Sequence, residues 1–84
     1  MNVYAIFDRK AQKYGPIQLE LNHFTVQRAL SQVVNGDPNQ SLLAKFTEDY
    51  DLYQVGSYDD QTGILTSKIE FVCNLIQIKD VHQE

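Results

Sequence analysis

Residues able to do chemistry are few in this chain, and their spacing argues against most reactions. His23 and His82 are far apart, and neither is spaced with cysteine or carboxylates as a zinc site requires. The single cysteine, Cys73, sits in an apolar run with no base beside it, so it reads as a small core filler in a reducing compartment. Asp49, Asp51, Asp59 and Asp60 invite comparison with a calcium loop. An EF-hand counted from Asp49 needs glycine at its sixth position and glutamate at its twelfth, where this chain has Gln54 and Asp60. Ser31, Ser41, Ser57 and Ser67 lack a nucleophile-elbow context, and no glycine-rich phosphate cradle is present. The expectation is a protein that is not an enzyme, with no catalytic residues, no metal site and no cofactor.

Two sets of side chains remain as binding candidates. Arg9, Lys10 and Lys13 beside Tyr14 form the one dense basic cluster, and Arg28 adds a further cation. Such residues contact phosphates, while tyrosines stack on unpaired bases; Tyr4, Phe7, Tyr50, Tyr53 and Tyr58 are further aromatics of that kind. Asp49, Asp51, Tyr53, Asp59 and Asp60 form an acidic, aromatic segment suited to docking a protein partner. Charge follows the same division. Residues 1–47 carry five Lys/Arg against three Asp/Glu, and residues 48–84 carry two against eight, leaving −4 overall. An acidic chain does not attract polyphosphate over its whole surface, so nucleic-acid binding needs a local face.

The elements that must position these residues can be read from periodicity. Val3–Phe7 reads as a strand. Gly15-Pro16 closes a polar loop, and Ile17, Leu19 and Leu21 alternate with polar residues as a strand with one buried face, pairing with the first. Val26, Ala29, Leu30, Val33 and Val34 make an apolar stripe at the helical period, with Asn22 as N-cap and Gly36 as the left-handed stop. Leu42, Leu43 and Phe46 suggest a helical turn plugging the core, and Glu48-Asp49 a solvated connection. Leu52–Tyr58 reads as a strand and Asp59–Gly63 as a hairpin turn with Gly63 at positive φ, followed by a return strand at Ile64–Thr66. Further on, Ser67-Lys68-Ile69-Glu70 matches a capping box, although Ile69, Phe71, Cys73 and Leu75 also alternate. The reading favours a short helix near Phe71–Leu75 and a strand-like end at Ile76–Ile78.

With 84 residues, the chain is expected to form a single α+β domain over residues 1–79, with residues 80–84 as a frayed tail. The fold expected is a small antiparallel sheet of three to four strands packed on one main helix, with short extra helical turns. No apolar run approaches the roughly 20 residues that span a bilayer. The N-terminus lacks the basic start and apolar core of a signal peptide. An unpaired sheet edge makes a homodimer the expected state.

Beyond these physical readings, the order of several segments carries a resemblance. Val3-Tyr4-Ala5-Ile6-Phe7-Asp8-Arg9-Lys10-Ala11, then Tyr14 and Pro16, resembles the start of a small non-structural protein of gokushovirus-type microviruses. Those are tailless icosahedral phages with circular single-stranded DNA. Val26-Gln27-Arg28-Ala29, Glu48-Asp49-Tyr50-Asp51-Leu52-Tyr53, Val55 to Gly63 and Glu70-Phe71-Val72-Cys73-Asn74-Leu75 continue the likeness to about residue 78. Gln18-Leu19-Glu20-Leu21 departs from it, since a phenylalanine is expected soon after the proline. The resemblance implies a non-capsid protein of the host cytoplasm acting in single-stranded DNA replication or packaging. It leaves two roles open: binding single-stranded DNA, or serving as an acidic adaptor that contacts phage or host replication and packaging proteins without touching DNA.

Overall fold

A continuous apolar run at Val3–Phe7, further β-rich segments and one helical stripe produce an antiparallel sheet with a helix on one face. The structure is a computed structural model and describes residues 1–79, so the expected tail at 80–84 lies outside the described residues. Strands β1 (Asn2–Asp8), β2 (Lys13–Tyr14) and β3 (Gln18–Glu20) precede helix α1 (His23–Val34) and the short helix α2 (Leu42–Lys45). A 3₁₀ turn at Thr47–Asp49 leads into β4 (Tyr50–Tyr58), then β5 (Leu65–Asn74) and a last 3₁₀ turn at Leu75–Gln77. The sheet runs β2-β1-β4-β5, with β3 also pairing β1, and every pairing is antiparallel. β2 and β3 line the same edge of β1, interrupted at Gly15-Pro16. This is the α+β fold expected, one main helix on an antiparallel sheet, with four to five strands where three to four were expected.

Opposed residues of an antiparallel pair share a face, so the register sorts the side chains. Tyr4 and Ile6 of β1, Leu52 of β4 and Cys73 of β5 lie on the helix side, where they meet Val26, Leu30, Val34 and Leu75. Tyr4, Val26, Val34, Leu52 and Leu75 are shut off from solvent. Each such aliphatic or aromatic side chain contributes about 1.5–3 kcal/mol through burial. Tyr4 keeps its phenol satisfied inside this core: the hydroxyl lies 2.5 Å from Nδ1 of His23 and accepts a bond from Nδ2 of Asn2. His23 therefore has a packing role in the first turn of α1.

The N-cap of α1 forms as its residues dictate. Asn22 Oδ1 accepts from the Thr25 backbone N–H at 2.9 Å, and Thr25 Oγ1 accepts from the Asn22 N–H at 3.2 Å, a reciprocal capping box. The other end differs from expectation. Gly36 does not take positive φ; Asn35 is the C-cap and its Nδ2 donates to the Ser31 carbonyl at 2.8 Å. Glycine still fits at 36, because a Cβ there would lie 3.2 Å from the Val33 carbonyl oxygen. The buried stripe is also narrower than the expected one, with Ala29 and Val33 exposed.

Two further expectations are corrected. Ile17, Leu19 and Leu21 do not form a buried face: they are 61%, 45% and 68% exposed, and regular strand is confined to Gln18–Glu20. At the C-terminal end, the helix expected near Phe71–Leu75 and the strand-like end at Ile76–Ile78 occur in the opposite order. β5 runs unbroken through the capping-box residues to Asn74, and the helical turn follows at Leu75–Gln77, capped by Asn74 Oδ1 accepting from the Ile76 N–H at 2.9 Å. The hairpin explains why. Asp59 Oδ1 accepts from the Gln61 N–H at 2.9 Å, and Gly63 adopts φ of 77° as expected. The returning chain is thereby laid against β4, whose ladder offers each residue backbone partners that a lone four-residue capping signal cannot match.

Candidate nucleic-acid interface

The side of the sheet away from α1 is uncovered, and four strands each place one aromatic ring there. Phe7 of β1 opposes Tyr14 of β2, and Tyr53 of β4 opposes Ala5 of β1 and Phe71 of β5. The rings form a continuous cluster: Phe7–Tyr14 at 4.8 Å between centroids, Tyr14–Tyr53 at 5.5 Å, Phe7–Tyr53 at 6.2 Å and Tyr53–Phe71 at 5.6 Å. The last three are edge-to-face contacts, a favoured aromatic geometry. Tyr53 is the hub, while Tyr14 and Phe71 at the two ends are 42% and 54% exposed. Val3 and Ala5 are buried on the same side of β1.

The basic candidates do not share this surface equally. Arg9 follows β1 at the end of the cluster, where its backbone N–H donates to the Asp49 carbonyl at 3.0 Å. Its guanidinium donates to the Glu48 carbonyl, and its Nε lies 3.7 Å from Asp51 Oδ2. Lys10 stands exposed in the adjoining loop, which Asp8 Oδ1 organises by accepting from the Lys10 and Ala11 N–H groups. Lys13 opposes Asp8 and so belongs to the helix side of the sheet. Arg28 is exposed on α1, across the sheet from the aromatic rings. Tyr14 thus lies within the cluster, Arg9 and Lys10 at its rim, and Lys13 and Arg28 away from it.

The acidic candidates are divided as well. Asp51 is nearly buried, and Asn74 Nδ2 donates to its Oδ1 at 2.8 Å and to the Glu48 carbonyl at 3.0 Å. Asp51, Asn74 and Arg9 therefore tie the ends of β1, β4 and β5 together, and one member of each candidate set is bound to the other. Asp49 lies in the adjacent 3₁₀ turn. Asp59 and Asp60 occupy the hairpin tip at the far end of β4, about 26 Å from Asp51 at the strand rise of ~3.3 Å per residue. The Gln61 N–H bond holds the Asp59 carboxyl below the usual carboxylate range.

Other aromatics named from sequence are placed differently. Tyr4 is buried in the core and cannot stack on a ligand. Tyr50 packs against that core, and burial, then Asp8 and Asp49, push its phenol up. Phe71 was not among the residues singled out for binding, because its segment read as helix; the alternation of Ile69, Phe71 and Cys73 was the signal for it. Cys73 faces the core, where burial pushes its thiol up and Gln27 Nε2 donates to the sulfur at 3.5 Å. Among the described residues, no three His, Cys, Asp or Glu side chains cluster as a metal site would need, and no helix is long and apolar enough to cross a membrane.

Comparison with known proteins places this chain in a family. No curated protein and no solved structure gives a significant match. A family model described as Phage ORF5 protein matches residues 1–78, and the chain belongs to that family.

Proposed function

We propose that this phage protein acts without catalysis in the replication or packaging of a single-stranded DNA genome, binding the strand on the open sheet face. The observation that carries the reading is the cluster of Phe7, Tyr14, Tyr53 and Phe71, one ring from each of four strands on the face that α1 leaves bare. Bases of any sequence stack on such rings, at about 1–3 kcal/mol each. The likeness to gokushovirus-type proteins supplies the biological setting, including a host cytoplasm in which single-stranded DNA accumulates.

Charge is the secondary contribution. Three phosphate contacts from Arg9, Lys10 and Lys13 would give a log–log salt slope of about −2 on a single strand. Arg9 is already engaged by Asp51 and the Glu48 carbonyl and Lys13 lies on the helix side, so Lys10 alone leaves a slope of about −0.7. Binding is therefore driven chiefly by stacking and is only mildly salt-dependent. A fluorescence-anisotropy titration with a labelled single strand and its duplex, at low and physiological salt, tests this. The expected result is preference for the single strand with a shallow slope, flattened further by changing Arg9, Lys10 and Lys13 to alanine.

The acidic composition supports a second reading, an adaptor that docks replication or packaging proteins through the exposed Asp59 and Asp60. Absence of binding to either DNA at low salt would overturn the first reading in favour of this one.

A further inference from the structure

We propose that β5 pairs with β5 of a second copy about a twofold axis through Ile69, joining two sheets edge to edge. The two edges of the sheet are not equivalent. The β2–β3 edge is broken at Gly15-Pro16, and proline has no N–H to offer a neighbour. β5, at the other end of the order, is a ten-residue strand free of proline and glycine, and residues 65–71 are all exposed. A run of this kind presents unpaired backbone donors and acceptors to any strand of suitable register.

The charges on β5 select that register. Lysine on an edge strand ordinarily guards against pairing. Antiparallel pairing centred on Ile69 sets residue 68 opposite residue 70 of the other copy, so Lys68 meets the second copy's Glu70 and Glu70 meets its Lys68. Centring on Lys68 or Glu70 would instead oppose like charges. Within one chain these two side chains are 3.8 Å apart and mostly exposed, at 72% and 51%, so little is lost when they exchange partners. The remaining alternation agrees. Ile69 meets its own copy on the open face and Phe71 lies opposite Ser67 of the second chain, in line with the face to which Phe71 belongs. The β4–β5 register shifts twice, first at Val72, where Leu52↔Cys73 gives way to Tyr53↔Phe71. It shifts again between Gln54↔Glu70 and Gly56↔Ser67, across the Lys68–Ile69 stretch on which the pairing centres, so the regular ladder is short. An interface of this extent sits at the small end of specific contacts and makes a weak dimer.

This inference does not depend on DNA binding, and its test uses the full chain without nucleic acid. Sedimentation velocity, carried into the high-micromolar range, is to be run on the wild type, Lys68→Glu, Glu70→Lys and the double reversal. The expected result is a reversible wild-type dimer, at least tenfold weakening in each single reversal, and recovery in the double. A wild type that stays monomeric throughout would overturn the proposal. So would single reversals that dimerise normally, or a double reversal that fails to recover. Circular dichroism of each variant confirms the fold, which exposed positions leave intact.

Discussion

Truncating the two outer rings of the aromatic cluster separates binding from folding. Tyr14 and Phe71 are 42% and 54% exposed, so about half of each ring is already in water. Removing the buried half costs about 1 kcal/mol of hydrophobic stabilisation, and losing one edge-to-face or tilted ring contact adds about 0.5–1.5 kcal/mol. Against a domain stability of about 5–15 kcal/mol, either Tyr14→Ala or Phe71→Ala leaves the protein folded. If a base stacks on the same ring, each change removes a further 1–3 kcal/mol of binding, about 5- to 150-fold in Kd. Tyr53 is the wrong choice for this test, because it touches three other rings and its loss would dismantle the cluster. Anisotropy titrations of Tyr14→Ala, Phe71→Ala and Phe71→Tyr against a labelled single strand give the readout, with thermal melts as the folding control. The alanine variants should lose affinity and Phe71→Tyr should keep it. A wild type that binds DNA, with alanine variants that bind within twofold of it, would refute the stacking surface.

Two further outcomes follow from the packing. Gly56→Ala should be severely destabilising, by about 3 kcal/mol or more from overpacking, since its Cβ would stand 2.3 Å from the Thr66 carbonyl oxygen between paired strands; a urea midpoint near that of the wild type would contradict the β4–β5 register. Cys73 should react slowly with iodoacetamide at mildly alkaline pH in the native protein and rapidly in urea, because burial raises its thiol pKa. The raised value means this contribution to stability is complete below the unfolded thiol pKa and is lost as pH rises through the folded one. Rapid native alkylation would show that Cys73 is not in the core.

Much of this fold was legible where local chemistry decides the outcome. Asn22, Thr25 and the Val26–Leu30–Val34 stripe specify α1 without help from the rest of the chain, and Asp59 with Gly63 specifies the hairpin. The C-terminal segment was not legible in the same way. Ser67 to Glu70 carries a genuine helix-start pattern, and its fate depends on a long-range partner, β4, that the segment itself does not reveal. The candidate site suffered from the same limitation. Basic and acidic sets looked separate along the sequence, yet Arg9 and Asp51 meet in space, and Tyr14 and Tyr53 belong to one cluster. Lys13 and Arg28, close to the site by composition, fall on the other side of the sheet by strand parity and helix placement.

The exposed alternation is the most informative of these departures, because size alone accounts for it. Period-2 patterning in Ile17–Leu21 and Ile69–Phe71 states that one face of each segment is apolar, and normally such a face is buried; beyond Phe71 the bulge at Val72 turns Cys73 to the helix side. An antiparallel sheet of this width has two faces, and a chain of 84 residues supplies a single long helix, which covers one of them. Val26, Leu30 and Val34 are fully committed to the side bearing Tyr4, Leu52 and Cys73. Nothing among the described residues is left to cover Ile17, Leu19, Ile69 and Phe71, all of which are at least 45% exposed. Scattered apolar side chains on a surface need no explanation, but these occupy edge positions around a ring cluster on one face. The sequence spends apolar residues there as it would in a core. That expenditure is useful to the protein when the face meets something flat and apolar, which is how a run of unstacked bases presents itself.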